Sequence, residues 1–170
     1  MPAAPNINNY YIGKGKVYWT PDGGVERELG NVPEFEFTPS LEKLDHYSSQ
    51  AGVRSKDRSV VLEKSAQLRI VMEEWSVENL ALQLMGDSPA DNGSGDMEFD
   101  LLAEDEIRGQ IRFVGANSVG PQVTIMLPLV SFIPSSGVSL IGDEWGTLEL
   151  SGEVLTTAGS FGTVTIKEPA

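Results

Sequence analysis

The longest alternating stretch of the chain is VVLEKSAQLRIVMEE, at residues 60–74. Because side chains of a β-strand point to opposite faces in turn, this stretch divides into an apolar face and a mostly polar face. The apolar face is interrupted only by Lys64 and comprises Val60, Leu62, Ala66, Leu68, Ile70 and Met72. The opposite face comprises Val61, Glu63, Ser65, Gln67, Arg69, Val71 and Glu73. A strand of this length would span roughly 50 Å, which is typical of a large curved sheet.

Other segments of the chain also have β character. Residues 34–37, Glu-Phe-Glu-Phe, alternate strictly and predict a half-buried strand whose second face is acidic. Further strands are predicted at residues 12–20, 97–102, 107–114, 122–132, 145–155 and 163–167, with turns rich in Gly, Pro and Ser between them.

A single helix is predicted directly after the long strand. Ser76 is a favourable N-cap, and the apolar residues that follow at helical spacing end before Gly86. Trp75 and Leu80 stand at the positions of a hydrophobic staple. We therefore expect a mainly β protein, a β-sandwich or barrel of long antiparallel strands with one flanking α-helix and a long hairpin loop. Residues 1–11 are expected to form a flexible arm, and residues 12–170 a single domain.

Charge and composition exclude several classes of function. The 170 residues include 12 Lys and Arg against 25 Asp and Glu, which gives a net charge of −13. Such a chain repels phosphates, so a basic nucleic-acid binder and a protein bound to an anionic membrane are excluded. The absence of cysteine and the presence of one histidine exclude thiolate and multi-histidine metal sites. No apolar run approaches the roughly 20 residues of a membrane-spanning helix.

His46 is the one residue that suggests hydrolytic catalysis, since Asp45 precedes it and serines follow. Neighbours in a strand point to opposite faces, so Asp45 cannot orient His46 as a catalytic triad requires. The chain also lacks a Gly-x-Ser-x-Gly elbow. We interpret His46 as structural and expect neither an enzyme nor a cofactor.

Residues 87–106 form a strongly acidic stretch without a basic residue. Clustered carboxylates of this kind could hold calcium, but the spacing of an EF-hand loop is missing. We interpret the stretch as a solvated acidic surface and predict no metal site.

A basic segment interrupts the acidic chain at residues 50–58. It is flanked by strand-like sequence, so we expect it at the tip of a long hairpin. Such a tip is either a solubilising loop or, the interpretation favoured here, a basic arm that docks on an acidic partner. In a chain of net charge −13, another copy of the same chain is such a partner. The segment comprises Gln50, Ala51, Gly52, Val53, Arg54, Ser55, Lys56, Asp57 and Arg58.

Three stretches of this sequence resemble a known family. GNVPEFEFTP at residues 30–39, LDHYSSQAGVRSKDRSVV at residues 44–61 and WSVENLALQLMG at residues 75–86 are similar to the major tail tube proteins of long-tailed, non-contractile bacteriophages. The specific part of the resemblance covers about residues 12–86.

The resemblance implies a structural virion protein. Such proteins form rings, expected here to be hexameric, that stack into a hollow tube through which DNA passes without specific binding. It also implies a long loop that reaches the neighbouring ring, here Gln50–Arg58. Tape measure and tail terminator or tip proteins would be partners, the protein would be assembled in the host cytoplasm, and its final location would be the tail of the virion.

A tube that passes DNA would need a wall that repels phosphate. Wall residues would lie on the polar faces of the long strands, opposite the apolar faces that form the core. The predicted lumen-facing glutamates are Glu34, Glu36, Glu63, Glu149 and Glu153. Arg69 shares the face of Glu63 and would need a neighbouring carboxylate as partner. Alternatively, these faces meet the solvent outside.

The second hypothesis is a ligand-binding β-sandwich, such as a carbohydrate-binding module. Such a module needs exposed aromatic side chains on one face. The chain has three tryptophans, of which Trp19 and Trp75 are expected at core or staple positions.

Overall fold

The computed structural model describes residues 5–50 and 52–167, and its architecture is mainly β. Residues 1–4 of the predicted N-terminal arm lie outside the described residues, while residues 7–9 form one turn of 3-10 helix. In chain order the elements that follow are β1 (Gly15–Pro21), β2 (Arg27–Glu28), β3 (Glu34–Ser48), β4 (Ser55–Met72), α1 (Val77–Gln83), β5 (Ala90–Asp91), β6 (Met97–Glu98), β7 (Ile107–Gly115), β8 (Gln122–Ile133), β9 (Leu148–Val154) and β10 (Thr163–Lys167).

Eight of the strands form one antiparallel sheet in the order β2-β1-β7-β8-β9-β4-β3, with β10 beside β8. Strand β8 takes different neighbours along its length. Its residues 122–126 pair with β10, whereas residues 130–133 pair with β9. The remaining strands, β5 and β6, form a separate short hairpin.

The sheet curls around a single apolar core. Phe35 of β3 stacks on Phe113 of β7 with ring centroids 5.2 Å apart, although several strands separate the two along the sheet. Trp19 of β1 packs against Phe132 of β8 with the two rings tilted and their centroids 5.1 Å apart. The mainly β fold with one helix is thus confirmed for the described residues. The sheet is not a closed barrel, because β2 and β3 stand at its two ends without pairing to each other.

The inner half of β4 forms the middle of the core. Ala66, Leu68, Ile70 and Met72 are buried, as the alternation predicts. They pack with apolar residues of β1, β7, β8 and β9. Full burial of a side chain the size of Leu68, Ile70 or Met72 contributes about 1.5–3 kcal/mol, so these three residues are a main source of stability.

The outer half of the β3–β4 hairpin projects from the sheet, and we call its residues 38–64 the arm. Most of its side chains are exposed on both faces, because β9 pairs with β4 only from Gln67 to Met72. Val60 and Leu62, predicted on the buried face, are therefore 45% and 58% exposed. The alternation also shifts at Leu62, which has no partner because Glu63 pairs with Glu42 and Val61 with Lys43.

Helix α1 begins as predicted. The Ser76 side chain accepts a hydrogen bond from the backbone N–H of Asn79, and the helix ends at Gln83. Trp75 is 38% exposed, and its indole N–H donates to the carbonyl of Gly146 at 2.8 Å. Trp19, by contrast, is buried in the core as expected.

Several predicted strands differ in extent from the structure. The strand predicted at residues 12–20 begins only at Gly15, and the strand predicted at residues 34–37 continues to Ser48. The strand predicted at residues 97–102 is confined to Met97–Glu98, because the backbone N–H groups of Leu102 and Glu104 bond to carbonyls at the end of the helix. The strand predicted at residues 145–155 begins only at Leu148, which leaves Trp145 in the preceding loop.

Candidate functional site

The predicted glutamates lie on one face of the sheet formed by β3, β4 and β9. Cross-strand partners share a face, and Val71 pairs with both Glu34 and Glu149. In the same way Gln67 pairs with Glu153, while Glu36 pairs with Arg69. We call this surface the acidic face. Its charged residues are Glu34, Glu36, Glu42, Glu63, Arg69, Glu149 and Glu153.

Glu42 was not among the predicted residues. It pairs directly with Glu63, so two like charges face each other across the strands. The alternation of Glu34 and Glu36 continued along β3 would have placed it on this face. The predicted alternation ends at residue 37, because Thr38, Pro39 and Ser40 interrupt the pattern of acidic and apolar residues.

Arg69 binds two of these carboxylates. Its guanidinium donates two hydrogen bonds to Glu149, at 2.8 and 3.1 Å, and a further one to Glu34. The hydrogen bonds from Arg69 hold the pKa of Glu149 below its ordinary value of 4.5. Glu36, Glu42, Glu63 and Glu153 form no ion pair within residues 5–50 and 52–167. The acidic face therefore keeps a large excess of negative charge.

The acidic face is open to solvent and concave. A depression of about 520 Å³ lies over it, lined among others by Glu36, Glu63, Arg69 and Glu153. At physiological salt the screening length is about 8 Å, so these carboxylates act on anything that passes directly over the face. A polyphosphate there would be repelled.

The basic segment lies at the tip of the arm, as predicted. Gln50, Gly52, Val53 and Arg54 connect the strands, and Ser55 to Arg58 form the first residues of β4. Ala51 lies outside the described residues. We call residues 50–58 the arm tip.

The three cations of the arm tip differ in their surroundings. Lys56 pairs with Asp45 at 2.7 Å, and this hydrogen bond lowers the pKa of Asp45. The guanidinium of Arg54 lies 5.8 Å from the ring centre of Tyr47. Arg54 and Arg58 have no carboxylate partner among the described residues. These two arginines are thus the cations available to a partner.

The arm also exposes apolar side chains that the sequence reasoning assigned to the core or did not consider. They lie on both faces of the hairpin, and side chains of this kind gain free energy when a partner covers them. The exposed apolar residues of the arm are Leu41, Leu44, Tyr47, Val53, Val60, Val61 and Leu62.

His46 and Asp45 do not form a catalytic pair. Nδ1 of His46 lies 2.6 Å from Asp57, whereas Asp45 binds Lys56. Asp57 is a bulge residue, because His46 pairs with Arg58 and Tyr47 pairs with Lys56. The neighbours point apart, as the strand geometry predicts.

In the acidic stretch 87–106, some carboxylates accept hydrogen bonds from backbone N–H groups of the same stretch. Asp87 accepts from the N–H of Asp100 at 2.8 Å, and Asp91 accepts from that of Gly93 at 2.7 Å. Glu106 binds Arg108 and Ser131, and these hydrogen bonds lower its pKa. Among the residues that the structure describes, no group of three or more His, Asp or Glu is placed to hold a metal ion.

Helix α1 is far too short to span a bilayer. Over the described ranges no helix is both long and apolar enough to cross a membrane.

The sequence belongs to a family recognised by the pattern of its first half. Residues 10–97 match the family model described as Protein of unknown function UCP028589, and this is slightly more than half of the 170 residues. The chain therefore belongs to this family. The match includes β1 to β5, the arm and helix α1. No curated protein matches the sequence.

Proposed function

We propose that the protein is a structural subunit that assembles into stacked rings and forms the hollow tail tube of a long-tailed, non-contractile bacteriophage. The observation on which the proposal rests is the arm. It is a long, exposed, partly apolar hairpin that finds no partner among the other residues described in residues 5–50 and 52–167.

The arm is unsuited to a protein that works as a monomer. Strands β3 and β4 have 15 and 18 residues, yet only the inner end of β4 has a second neighbour in the sheet. A two-stranded hairpin is at best marginally stable in water. Exposed apolar side chains on such a hairpin gain burial when another subunit covers them, which favours self-association.

The acidic face supports the role of a conduit. Its unpaired glutamates repel phosphate, and a tube that delivers DNA has to let DNA slide without binding it. In the proposed tube this face lines the channel. The apolar side of the same strands faces the core, so the channel wall and the core are two sides of one sheet.

The hexameric ring, the location in the virion tail and the tape measure, terminator or tip partners belong to the same proposal. They follow from the resemblance of residues 12–86 to tail tube proteins.

Self-assembly is the direct test. Purified protein at increasing concentration should form rings or tubes, visible by negative-stain microscopy and as large species in sedimentation velocity. The control is a variant in which residues 43–62 are replaced by Asn-Gly, which joins the paired residues Glu42 and Glu63 by a tight turn. This variant should stay folded and monomeric. A wild-type protein that remains a compact monomer at every concentration would contradict the proposal.

A further inference from the structure

The loop that connects β8 to β9 exposes large apolar side chains to an unusual extent. Ile141 and Trp145 are each 94% exposed, and Leu140 is 78% exposed. We call residues 137–147 the Trp145 loop. Side chains of this size gain free energy when another surface covers them.

A depression of about 890 Å³ lies between the Trp145 loop and Trp75. Carboxylates of Glu73, Asp143 and Glu144 line it, and no basic side chain does. The position of Trp75 is fixed by its hydrogen bond to Gly146. A Cβ at Gly146 would stand 2.6 Å from the Trp75 ring, so glycine is required for this approach.

Indole rings beside carboxylates are suited to bind a cationic ligand. The face of an indole attracts a cation, and a carboxylate at the rim adds an ion pair. Of the two cationic side chains, the guanidinium of arginine combines stacking on a ring with bidentate binding of a carboxylate. The depression is therefore complementary to exposed arginine side chains.

The chain itself supplies such arginines at the arm tip. Four of its arginines already have partners within the fold, namely Arg27, Arg69, Arg108 and Arg112. Arg54 and Arg58 have no carboxylate partner among the described residues, and Arg54 only lies over the exposed ring of Tyr47. Exposed Val53 beside them provides an apolar contact for the Trp145 loop.

The arm tip and the depression lie at opposite ends of the molecule. Strand β4 begins with Ser55 at the tip and ends at Met72, which pairs with Leu148 at the end of the Trp145 loop. The 18 residues between these ends span roughly 60 Å at the rise of a β-strand. An arm cannot reach its own depression, so the contact joins two copies head to tail. Contacts of this type continue from copy to copy, and they form an open stack unless the rotation between copies closes them into a ring.

We propose that Arg54 and Arg58 of one copy bind the depression between Trp75 and the Trp145 loop of the next copy. This inference rests on the proposed function and names the surface that receives the arm. The other acidic depression at this end of the sheet is less suitable, because Arg27 and Arg108 line it and already neutralise part of its charge.

Charge reversal tests the contact. The variant Asp143→Arg/Glu144→Arg should remain folded, since both residues are exposed. It should raise the concentration needed for stacking by at least about tenfold, because two ion pairs become repulsive contacts. The variant Arg54→Glu/Arg58→Glu should do the same. Combining all four substitutions in one chain should restore stacking, since the charges are again complementary.

The matched control changes the same charges at the other acidic loop. Glu104→Arg/Asp105→Arg alters exposed residues at the same end of the molecule and should leave stacking unchanged. The inference would be overturned if the Asp143→Arg/Glu144→Arg variant stacked like the wild-type protein, or if the control lost stacking to the same extent. In either case the proposed function would stand. A third outcome would also overturn the inference: the wild-type protein is retained on a polysaccharide gel, and Trp145→Ala abolishes this retention but leaves stacking unchanged. The depression would then be assigned to a sugar. Failure of the wild-type protein to assemble would instead contradict the proposed function.

Discussion

Arg69 controls the charge at the centre of the acidic face. Glu34 and Glu149 both pair with Val71 in the sheet and flank the same point of β4. The guanidinium of Arg69 lies between the two carboxylates and compensates their charge through hydrogen bonds to both. A single cation thus permits the remaining carboxylates to share the face.

This pairing predicts a pH-dependent stability. Because Arg69 holds the pKa of Glu149 below 4.5, the ionised side chain stabilises the folded state at neutral pH. The contribution is lost as the pH falls through the lowered pKa, because the unfolded chain then binds the proton more readily. Thermal unfolding should therefore show a higher melting temperature for wild type than for Glu149→Gln near pH 7. The difference should shrink below about pH 4.

The double-mutant cycle with Arg69→Gln identifies the cause of this effect. In the Arg69→Gln background, Glu149→Gln should no longer change the pH dependence of the melting temperature. A difference between wild type and Glu149→Gln that stays constant from neutral to acidic pH would contradict the assignment.

At the scale of elements, Asn79 joins the helix to the strands. Its side chain is 1% exposed, and Oδ1 accepts from Arg27 at 2.6 Å. Nδ2 donates to the carbonyls of Leu29 and Glu74, each at 3.0 Å. Every polar group of this buried amide is satisfied. Helix α1 has seven residues and depends on such tertiary contacts, since isolated helices shorter than about 12 residues are marginal in water.

We expect Asn79→Ala to lower the free energy of unfolding by about 2–4 kcal/mol, because it leaves two buried carbonyls and Arg27 without their partner. Urea unfolding followed by circular dichroism measures the change. Asn79→Asp keeps the acceptor for Arg27 but turns a carboxylate oxygen toward the carbonyls of Leu29 and Glu74, so it should not restore the stability of the wild type. The control Glu78→Ala alters the neighbouring exposed residue and should change stability by less than about 1 kcal/mol. Equal stability of Asn79→Ala and wild type would contradict this role.

The arm shows where element prediction succeeds and where it fails. The tip at residues 50–58 could be located because a basic, turn-like segment separates two β-prone segments. The bulge at Leu62 and the end of pairing with β9 at Gln67 have no comparable signal in the sequence. For this reason Val60 and Leu62 were placed in the core, although they lie on the exposed arm.

At the scale of the whole molecule, the proposed assembly uses three surfaces. The arm tip lies at one end of β4, the Trp145 loop lies at the other end, and the acidic face lies between them. Subunits joined end to end in this orientation would align their acidic faces along one axis. This arrangement is what a continuous channel wall requires.

The proposed channel predicts an effect on DNA delivery. Replacing the glutamates Glu34, Glu36, Glu63, Glu149 and Glu153 with glutamine removes negative charge from the wall. Ejection of DNA from assembled virions should become slower, because phosphates are no longer repelled from the wall. Rates of ejection triggered in vitro measure the effect, with tail length checked by microscopy.

A matched control removes the same number of carboxylates elsewhere. Neutralising Asp96, Glu98, Asp100, Glu104 and Asp105 by amide substitution changes the acidic stretch and should leave the ejection rate unchanged. Unchanged ejection by virions with intact tails and five neutralised wall glutamates would contradict a lumen role for the acidic face.

The sequence by itself determined the features that depend on local backbone geometry. The alternation of side chains sets the faces of β3, β4 and β9, so the five glutamates could be assigned to one side and the buried residues Ala66, Leu68, Ile70 and Met72 to the other. The cap at Ser76 likewise depends on a few adjacent residues. Tertiary structure decided which faces are covered, because coverage depends on strands distant in sequence. The exposure of the arm, the buried amide of Asn79 and the depression beside Trp145 all result from such pairing, which no local pattern encodes.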